Sequence, residues 1–369
     1  MRVDSPSLAK YHRYGKGLAV VYLLLPAVFL VIFAEYWSEE LSQFLLHLVG
    51  NYYCALLIDW GSIWLGTTVV LLPVSWAWYR LERAHGLARQ GYRSWIADYC
   101  RFQAIRWLVS SAGFVWLYWA LRTSVNYWHL LFWPAVVLAD CLLLSFLDAW
   151  LLPVFFEVSP LLHGELHDRL AFFATRAGIR NPKFRVLHVG HKTARSNALV
   201  TGLAGNYRIL ITDTVLETFT PEEIEAVVAH EMGHQALHHT TKRVFLLAVL
   251  YLLGLWLMQL FVSGFAVYPA EMSYLPYWAI ALPVGRLYVL LIYGVFARRQ
   301  EESADRFSWK LTQNIPAFVS MLRKLAAQNL QLTNRRYGVS HPAVQARITA
   351  AENFMKAQSE ELAAAGQAG

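Results

Sequence analysis

Long runs of hydrophobic residues, separated by short polar segments, dominate the first 160 residues and return between residues 244 and 297. Each run is about 18 residues or longer, which is the length that a helix needs to cross the hydrocarbon core of a bilayer. The pattern therefore predicts an α-helical, polytopic membrane protein with about six spans. The predicted spans are residues 17–34, 61–79, 104–121, 130–156, 244–268 and 274–297.

A further apolar stretch, residues 41–60, is interrupted by His47, Asn51 and Asp59. Polar side chains are costly inside a bilayer, so the interruptions favour an interfacial or re-entrant helix over a seventh span.

Charged residues also fall inside the predicted spans, where they are costly and often functional. Asp140 and Asp148 lie in the fourth span and Arg286 lies in the sixth. Asp140 and Arg286 are both near mid-membrane, so they could form an ion pair. The alternative is that they stay unpaired and face water.

The polar segment between the fourth and fifth spans has a mixed pattern. Residues 165–177 place apolar side chains at helical spacing and predict an amphipathic helix. Residues 184–189, 197–202 and 208–212 are rich in Val, Ile, Leu and Phe and predict three short strands. Residues 204–206 predict a hairpin turn between the second and third of these strands.

The next predicted helix begins at Thr220, the expected N-cap residue. Pro221 stands at the first helical position and Glu223 completes a capping box. About two turns further on, the helix carries His230 and His234. One helical turn separates these residues, so both imidazoles point the same way, as two ligands of one zinc ion must. This helix could run on into the fifth span.

Residues His230 to His234 have the H-E-x-x-H pattern of zinc metalloproteases. Glu231 lies beside the two histidines, where a carboxylate can take a proton from water at the metal. A catalytic zinc usually has three protein ligands, and Glu301, just beyond the sixth span, is the candidate for the third. Asp305 lies four residues later on the same helix face and could accept the N–H of a ligating histidine.

Simpler explanations exist for some of these residues. Glu301 and Glu302 could be solvated charges that balance Arg298 and Arg299. His238 and His239 follow the motif, and His238 would lie on the same helix face as His234 but beyond reach of the metal. Both are therefore expected to support the ligands or to lie on the surface rather than to bind the metal.

Composition and charge narrow the class of protein. Hydrophobic residues make up 57% of the chain and charged residues 15%, whereas soluble domains carry about 25% charged residues. The net charge of +7 does not indicate nucleic-acid binding, because the basic residues lie at the ends of spans.

The distribution of arginine and lysine predicts the orientation of the chain. Residues 80–106 hold six arginines, whereas the loop after the first span is acidic. The positive-inside rule therefore places both termini, residues 80–106 and residues 158–243 on the cytoplasmic side. The C-terminus carries no ER-retention sequence, which favours a bacterial plasma membrane.

Four motifs occur in the order of a known family, and together they cover residues 184–348. With them the chain resembles the integral-membrane zinc metallopeptidases that include the CAAX prenyl endopeptidase type 1 and the HtpX-like heat-shock proteases. The motifs are Asn197-Ala198-x-x-x-Gly202 followed by Arg208-Ile209-x-Ile211-x-Asp213-Thr214, His230 to His234 with His239-Thr240, Arg298-x-x-Glu301-x-x-Ala304-Asp305, and His341-Pro342-x-x-x-x-Arg347-Ile348.

This resemblance implies a cytoplasmic α+β zinc protease of the gluzincin kind, containing a small sheet and joined to the membrane helices. It implies that His230, His234 and Glu301 hold one zinc ion per chain. Glu231 would act as general base towards water and then as acid towards the leaving amine.

The same resemblance assigns roles to the other motif residues. His341 and Arg347 match residues that stabilise the oxyanion or hold the substrate. Asn197 and Ala198 begin a strand that would pair with an extended substrate. The residues expected to support the metal ligands are Asp305, Arg298 and His239.

These predictions divide the chain into four segments. Residues 1–157 hold four spans and the arginine-rich loop, and residues 158–243 hold the protease portion with its sheet and zinc helix. Residues 244–297 hold spans five and six, and residues 298–369 hold the third-ligand helix and the C-terminal region.

The expected substrates are peptides or proteins, including lipidated, CAAX-like ones, cleaved near the cytoplasmic face. Quality control of membrane proteins is an alternative within the same chemistry. A metal-binding transporter or scaffold without hydrolysis is a third possibility. It would require Glu231 to be dispensable and would leave His341 unexplained.

Overall fold

The computed structural model describes residues 6–202, 207–264, 268–331 and 341–367. The predicted hairpin turn at residues 204–206 lies outside them. Six of the described helices are long and apolar enough to cross a membrane, as the sequence predicts. The helices are α1 (Pro6–Tyr36), α2 (Ser38–Val49), α3 (Tyr52–Ala84), α4 (Tyr92–Thr123), α5 (Trp128–Phe146), α6 (Glu165–Arg176), α7 (Asp213–Thr218), α8 (Pro221–Ala236), α9 (His239–Gly264), α10 (Leu275–Thr312), α11 (Ile315–Gln328) and α12 (Val344–Gln367).

The six spanning helices close into a ring. In the order α1, α3, α4, α5, α9 and α10, each helix packs against the next, and α10 packs against α1. The membrane part is therefore a closed ring of six helices, and the protease portion lies at one end of it.

The helix α2 closes the other end of the ring. It has 12 residues, which span about 18 Å and are too few to cross a bilayer. Ser38, at its first residue, donates to the Ser273 carbonyl at 2.8 Å, and Tyr52 donates to the Ala270 carbonyl at 2.7 Å. The prediction that residues 41–60 are not a separate seventh span is confirmed for the described chain: the first part lies in the short helix α2 and the last part belongs to the spanning helix α3. The interfacial position of α2 stays a prediction.

The N-terminus, the arginine-rich loop and the protease portion lie together at the same end of the ring. Arg195 of the protease portion donates to Glu82 at 2.8 Å and to Tyr11 at 3.2 Å. Arg89 donates to the Gly190 carbonyl at 3.0 Å. This is the common side that the charge pattern predicts.

The fourth span ends earlier than the sequence predicts. Helix α5 stops at Phe146 and is followed by a π-helical turn, Leu147–Leu151, and a 3-10 turn, Leu152–Val154. Pro153 has no N–H to continue an α-helical ladder. A strand that the sequence does not predict, β1 (Glu157–Pro160), follows directly.

The protease portion contains a four-stranded sheet with a candidate binding strand at its edge. The other strands are β2 (Lys183–His188), β3 (Ala198–Thr201) and β4 (Arg208–Thr212), close to the three predicted ranges. The order is β1-β2-β4-β3; β2 and β4 are parallel, and the other two pairs are antiparallel. Among the described strands, β3 is therefore paired on one side only.

Helix α8 lies in the centre of the protease portion. It packs against the sheet, α6, α10 and α11, so residues 223–230 are buried on all sides of the helix. Its core neighbours include Ile209 of β4, Trp309 of α10 and Phe318 of α11. The helix is held firmly because its whole circumference is packed.

The predicted capping box at the start of α8 is confirmed. Thr220 N–H donates to Glu223 at 2.8 Å, and Lys324 and Ser320 of α11 each donate to Glu223 at 2.6 Å. Burial alone would raise the pKa of Glu223, but these hydrogen bonds outweigh it and lower the pKa. The start of α8 is thus fixed to α11.

Helix α10 joins the membrane ring to the protease portion. It runs unbroken for 38 residues, about 57 Å, from Leu275 to Thr312. Glu301 therefore continues the sixth spanning helix, as the sequence predicts. Two predicted segment boundaries, at residues 243 and 297, fall inside the continuous helices α9 and α10.

The intramembrane charges do not form the expected ion pair. Among the described contacts, no ion pair joins Asp140 to Arg286; Tyr251 of α9 interacts with both. One Asp140 carboxylate oxygen is buried without a hydrogen-bond partner there, and Arg286 is exposed. The side chain of Asp148 lies outside the described part of the chain.

Candidate active site

Three buried or half-buried side chains bring their donor atoms into a small triangle. His230 and His234 lie one turn apart on α8, and Glu301 approaches from α10. The two Nε2 atoms are 3.2 Å apart, and each lies 3.5 Å from a Glu301 carboxylate oxygen. A tetrahedral ion with ligand bonds of about 2.0–2.1 Å separates its donors by about 3.3–3.4 Å. The triangle therefore fits one such ion closely.

Gly233 allows α8 and α10 to approach closely enough to form this triangle. A Cβ atom at Gly233 would lie 3.1 Å from the Ala304 Cα, 3.2 Å from the Phe307 Cβ and 3.3 Å from the Ala304 carbonyl oxygen. Two of these contacts are with the backbone of α10, which cannot move aside as a flexible side chain can.

We expect Gly233→Ala to weaken metal binding about tenfold or more and to lower the melting temperature. The added methyl would force α10 and its Glu301 away from the histidines, and such overpacking typically costs about 1–3 kcal/mol. Chelator competition and thermal unfolding of the purified protein measure both effects. Gly254→Ala on α9 is the matched control, since its Cβ would meet nothing within 4 Å. Equal effects from both variants would contradict the close-packing argument.

The charges of the site favour a divalent cation. Glu231, Glu301 and Asp305 bring three carboxylates together, and among the described residues Arg347 is the permanent cation in contact with them. One Glu301 oxygen is buried without a hydrogen-bond partner. A divalent ion would neutralise this excess of carboxylates, and two imidazoles with a carboxylate are a donor set that zinc accepts.

The pKa values at the site follow from the same excess of negative charge. Burial alone would lower the pKa of His230, but hydrogen bonding and charge from Asp305 and Glu301 raise it to about 10. Burial would raise the pKa of Glu301, but His230 and the neighbouring imidazoles hold it well below its usual range. The space between the carboxylates thus favours positive charge.

Asp305 and Arg347 hold His230 in orientation. The Asp305 carboxylate lies 2.8 Å from His230 Nδ1 and accepts two hydrogen bonds from Arg347, at 2.8 and 2.6 Å. Carboxylate contact on Nδ1 leaves Nε2 directed at the metal position, the usual arrangement at metal-binding histidines. Arg347 therefore reaches the site through Asp305, and its predicted direct role towards the substrate stays a prediction.

His239 holds the second histidine. The turn at His238, whose φ of 56° is left-handed, ends α8 and returns His239 to within 2.9 Å (Nδ1 to Nδ1) of His234. The expectation that α8 runs on into the fifth span was therefore wrong. Ser303 donates to the Gln300 carbonyl, so its oxygen can accept from His239 Nε2 at 3.2 Å.

The contacts among Ser303, His239 and His234 determine which ring nitrogen of each histidine carries its proton. If His239 Nε2 carries a proton for Ser303, its Nδ1 accepts the proton of His234 Nδ1, and His234 Nε2 stays free for the metal. Burial lowers the pKa of His239 to about 4, which keeps it neutral for this purpose. Ser303 was not found from the sequence, because nothing in the pattern reveals the turn at His238.

Glu231 lies between the metal position and the sheet edge. Val200 N–H of β3 donates to its carboxylate, and burial, with the nearby charge of Glu301, raises the pKa of Glu231 to about 7. Thr212 N–H donates to the Asn197 carbonyl at 3.0 Å. In an antiparallel ladder the backbone groups alternate, so Ala198 and Val200 face away from β4. The free edge of β3 therefore runs beside Glu231.

His341 borders the site from the segment before α12. Its Nε2 lies 3.5 Å from a Glu301 oxygen, and 44% of its side chain is exposed. Burial lowers the pKa of His341, which favours the neutral imidazole. Arg298, in contrast, lines a cavity on a neighbouring face of α10.

A second group of donors lies at the protein surface and was not found from the sequence. His163, His167 and Asp168 bring ligand atoms within 4.8 Å of one another at the start of α6. His163 and Asp168 are exposed, and His167 Nδ1 lies 3.3 Å from an Asp168 carboxylate oxygen. The buried and supported triangle on α8 and α10 is the stronger candidate.

Comparisons with known proteins agree with this site. The sequence model of Peptidase family M48 matches residues 160–355. The chain is 26% identical over 304 residues to "Uncharacterized metalloprotease YhfN" of Bacillus subtilis, covering 78% of this chain and 70% of that one. It is 24% identical over 319 residues to "CAAX prenyl protease 1" of Saccharomyces cerevisiae, covering 77% and 69%.

The fold is also similar to a solved structure. The crystal structure of S. mikatae Ste24p matches with a TM-score of 0.75 at 22% identity, over 93% of this chain and 88% of that one. At this identity the likeness concerns the fold alone.

Proposed function

Because the chain belongs to Peptidase family M48, we propose that this multi-pass membrane metalloprotease is a zinc-dependent endopeptidase acting on lipidated, CAAX-like peptides at the membrane boundary. The observation that carries the proposal is the donor triangle of 3.2 and 3.5 Å with Glu231 beside it. The "CAAX prenyl protease 1" relatives suggest the substrate class.

His230, His234 and Glu301 would hold the zinc ion. When bound, zinc supplies a Lewis acid that polarises a peptide carbonyl and makes water acidic near neutral pH. Asp305 and His239 keep the two imidazoles turned towards the ion by contacting their Nδ1 atoms.

Glu231 carries the proton transfers in this proposal. It takes a proton from the attacking water at its carboxylate and returns it to the amine nitrogen of the leaving peptide. His341 stands at the open rim of the site, where its ring can donate to the carbonyl oxygen as negative charge develops. Arg347 acts through Asp305, to which it donates two hydrogen bonds.

The free edge of β3 would hold the substrate. Ala198 offers its backbone N–H and carbonyl on the side away from β4, and Val200 offers its carbonyl while its N–H donates to Glu231, so an extended peptide can add as a further strand. This mode grips the peptide backbone and tolerates many side chains. The exposed side chain of Asn197 stands at the start of the strand.

The membrane ring suggests where a lipid chain would go. Helices α9 and α10 belong to the ring, and they also carry His239 and Glu301. A hydrocarbon chain attached to the substrate could therefore enter the ring while the peptide lies on β3. We place the site on the cytoplasmic side because the arginine-rich loop lies at the same end, and we infer a bacterial plasma membrane.

Purified protein should cleave a farnesylated CAAX peptide with a KM at least about tenfold below that of the same peptide without the lipid. The KM of the farnesylated peptide is expected to be lower because binding buries its hydrocarbon chain, and about 1.4 kcal/mol of binding free energy already corresponds to a tenfold change in affinity. Steady-state kinetics in detergent or nanodiscs measures it, with the chelator-treated protein as control. Equal KM values would refute the lipid-directed part, and absence of cleavage by the zinc-loaded protein would refute the peptidase proposal.

A further inference from the structure

The side chain of Asn329 pairs with the backbone of Ser196, two residues before strand β3. Its amide oxygen accepts from the Ser196 N–H at 3.1 Å, and its amide nitrogen donates to the Ser196 carbonyl at 2.9 Å. Two residues of an antiparallel hydrogen-bonded pair exchange the same two bonds. The Asn329 amide therefore pairs with Ser196 as the peptide group of a neighbouring strand would.

This pairing lies on the side of the chain that leads to the free edge of β3. The residues on either side of Ser196 bond towards β4: the Asn197 carbonyl accepts from the Thr212 N–H at 3.0 Å, and the Arg195 carbonyl accepts from Thr214 Oγ1 at 2.8 Å. Backbone groups alternate in direction along a strand, so Ser196 faces away from β4. Its partner amide is therefore next in line to the position where the substrate is proposed to add.

The end of α11 holds the Asn329 side chain in place. The next residue, Leu330, is buried in a small cluster with Leu8 and Tyr11 of α1. The Leu330 carbonyl also lies 2.7 Å from His12 Nε2 of the same helix. Because α1 is the first spanning helix, these contacts connect the start of β3 to the membrane ring.

We propose that Asn329 is a positioning residue for the substrate: it holds Ser196 from the outer side and so fixes the register in which a peptide strand pairs with Ala198. This proposal rests on the proposed function and deepens it. Register matters because side chains alternate along a strand, and a slip of one residue turns every substrate side chain to the opposite face.

The distance of Asn329 from the chemistry separates this role from metal binding. Ser196 lies four strand residues, about 13 Å, from Val200, whose N–H donates to Glu231. Loss of the Asn329 amide should therefore loosen the substrate edge and leave the metal donors in place.

The test is a scan of the farnesylated CAAX peptide in which one backbone N–H at a time is replaced by N–CH3. Wild-type protein should show one position at which methylation lowers kcat/KM about fivefold or more, because that N–H donates to β3. Asn329→Ala should raise the KM of the unmethylated peptide about tenfold, with kcat and zinc affinity within about twofold of wild type. At the sensitive position, the loss caused by methylation should shrink to about twofold, because the two sites are coupled.

Two further variants separate the hydrogen bonds from packing and from a general disturbance. Asn329→Leu keeps nearly the volume of the side chain without its polar atoms, and it should behave like Asn329→Ala, also where the alanine variant fails to fold. Gln328→Ala removes the neighbouring amide, which donates to Thr218 Oγ1 at 2.8 Å and not to the strand. It should keep the wild-type KM and the wild-type methylation profile.

The outcomes are distinct. If both Asn329 variants keep the methylation profile of wild type, Asn329 does not set the register, and the peptidase proposal stands without it. If no methylated position matters in wild type, the peptide does not pair with β3, and the inference falls together with the proposed strand addition. Should the zinc-loaded wild type cleave no peptide, the peptidase proposal fails, and the same ratios are then measured as binding to the Glu231→Gln protein by fluorescence anisotropy, where an unchanged profile in Asn329→Leu would overturn the inference.

Discussion

Replacing Glu231 by Gln is expected to lower the kcat of peptide cleavage about 1,000-fold while the protein keeps its metal. The amide has nearly the shape of the carboxylate, but it cannot take a proton from water, and general acid–base catalysis contributes about 10²–10⁴-fold. The hydrogen bond from Val200 N–H can still be accepted by the amide oxygen, so the local structure should persist. Steady-state kinetics and elemental analysis of the same preparation measure the two quantities.

The control for this variant is Glu222→Gln, the same chemical change on the same helix. Glu222 lies in the first turn of α8, where 45% of its side chain is exposed and it contacts Arg169. Its kcat should stay within about twofold of wild type, because substitutions of exposed residues usually change the folding stability by no more than about 0.5 kcal/mol. Wild-type turnover by Glu231→Gln would show that Glu231 is not the base, and the hydrolytic mechanism would need another group.

The parts that could be predicted from the sequence are those that local spacing determines. Apolar runs of spanning length gave six membrane helices, because a bilayer imposes a length on any helix that crosses it. The four-residue spacing of His230 and His234 placed both rings on one face before any tertiary contact was known. Thr220 and Glu223 marked the start of that helix by their capping chemistry.

The parts that could not be predicted depend on contacts between distant segments. The order of the six helices in the ring, and the closure of α10 on α1, follow from packing that no single run of residues encodes. The left-handed turn at His238 is unusual for a residue with a Cβ. This turn brings His239 into contact with His234, and His239 in turn contacts Ser303. The support of one metal ligand therefore depends on an interruption of the helix that the spacing of hydrophobic residues does not reveal.

The two imidazoles of the site are supported differently, which the sequence also did not reveal. Asp305, held by Arg347, presents a carboxylate to His230, whereas a neutral ring, His239, contacts His234. A carboxylate strengthens the basicity of a ligating imidazole more than a neutral acceptor does. Both contacts orient imidazoles that can complete a metal site only together with a third donor, the Glu301 carboxylate.

Glu301→Gln should weaken zinc binding by at least about 100-fold. The substitution removes one of three donors and one of the negative charges that make the buried site favour a cation, whereas loss of a supporting contact alone typically costs 10–100-fold. The His230 pKa should fall as well, since Glu301 is one of the groups that raise it. Competition with a chromophoric chelator gives the affinity, and activity should disappear at zinc concentrations that saturate wild type.

Glu302→Gln provides the matched control, because it makes the same change one residue further along α10, on an exposed side chain that is not part of the donor triangle. Its zinc affinity should equal that of wild type. If the Glu301→Gln protein bound zinc as tightly as the Glu302→Gln protein, the carboxylate on α10 would not be a ligand. The 3.5 Å approach of Glu301 to both imidazoles would then be an ion-pair contact of the folded protein and not part of a metal centre.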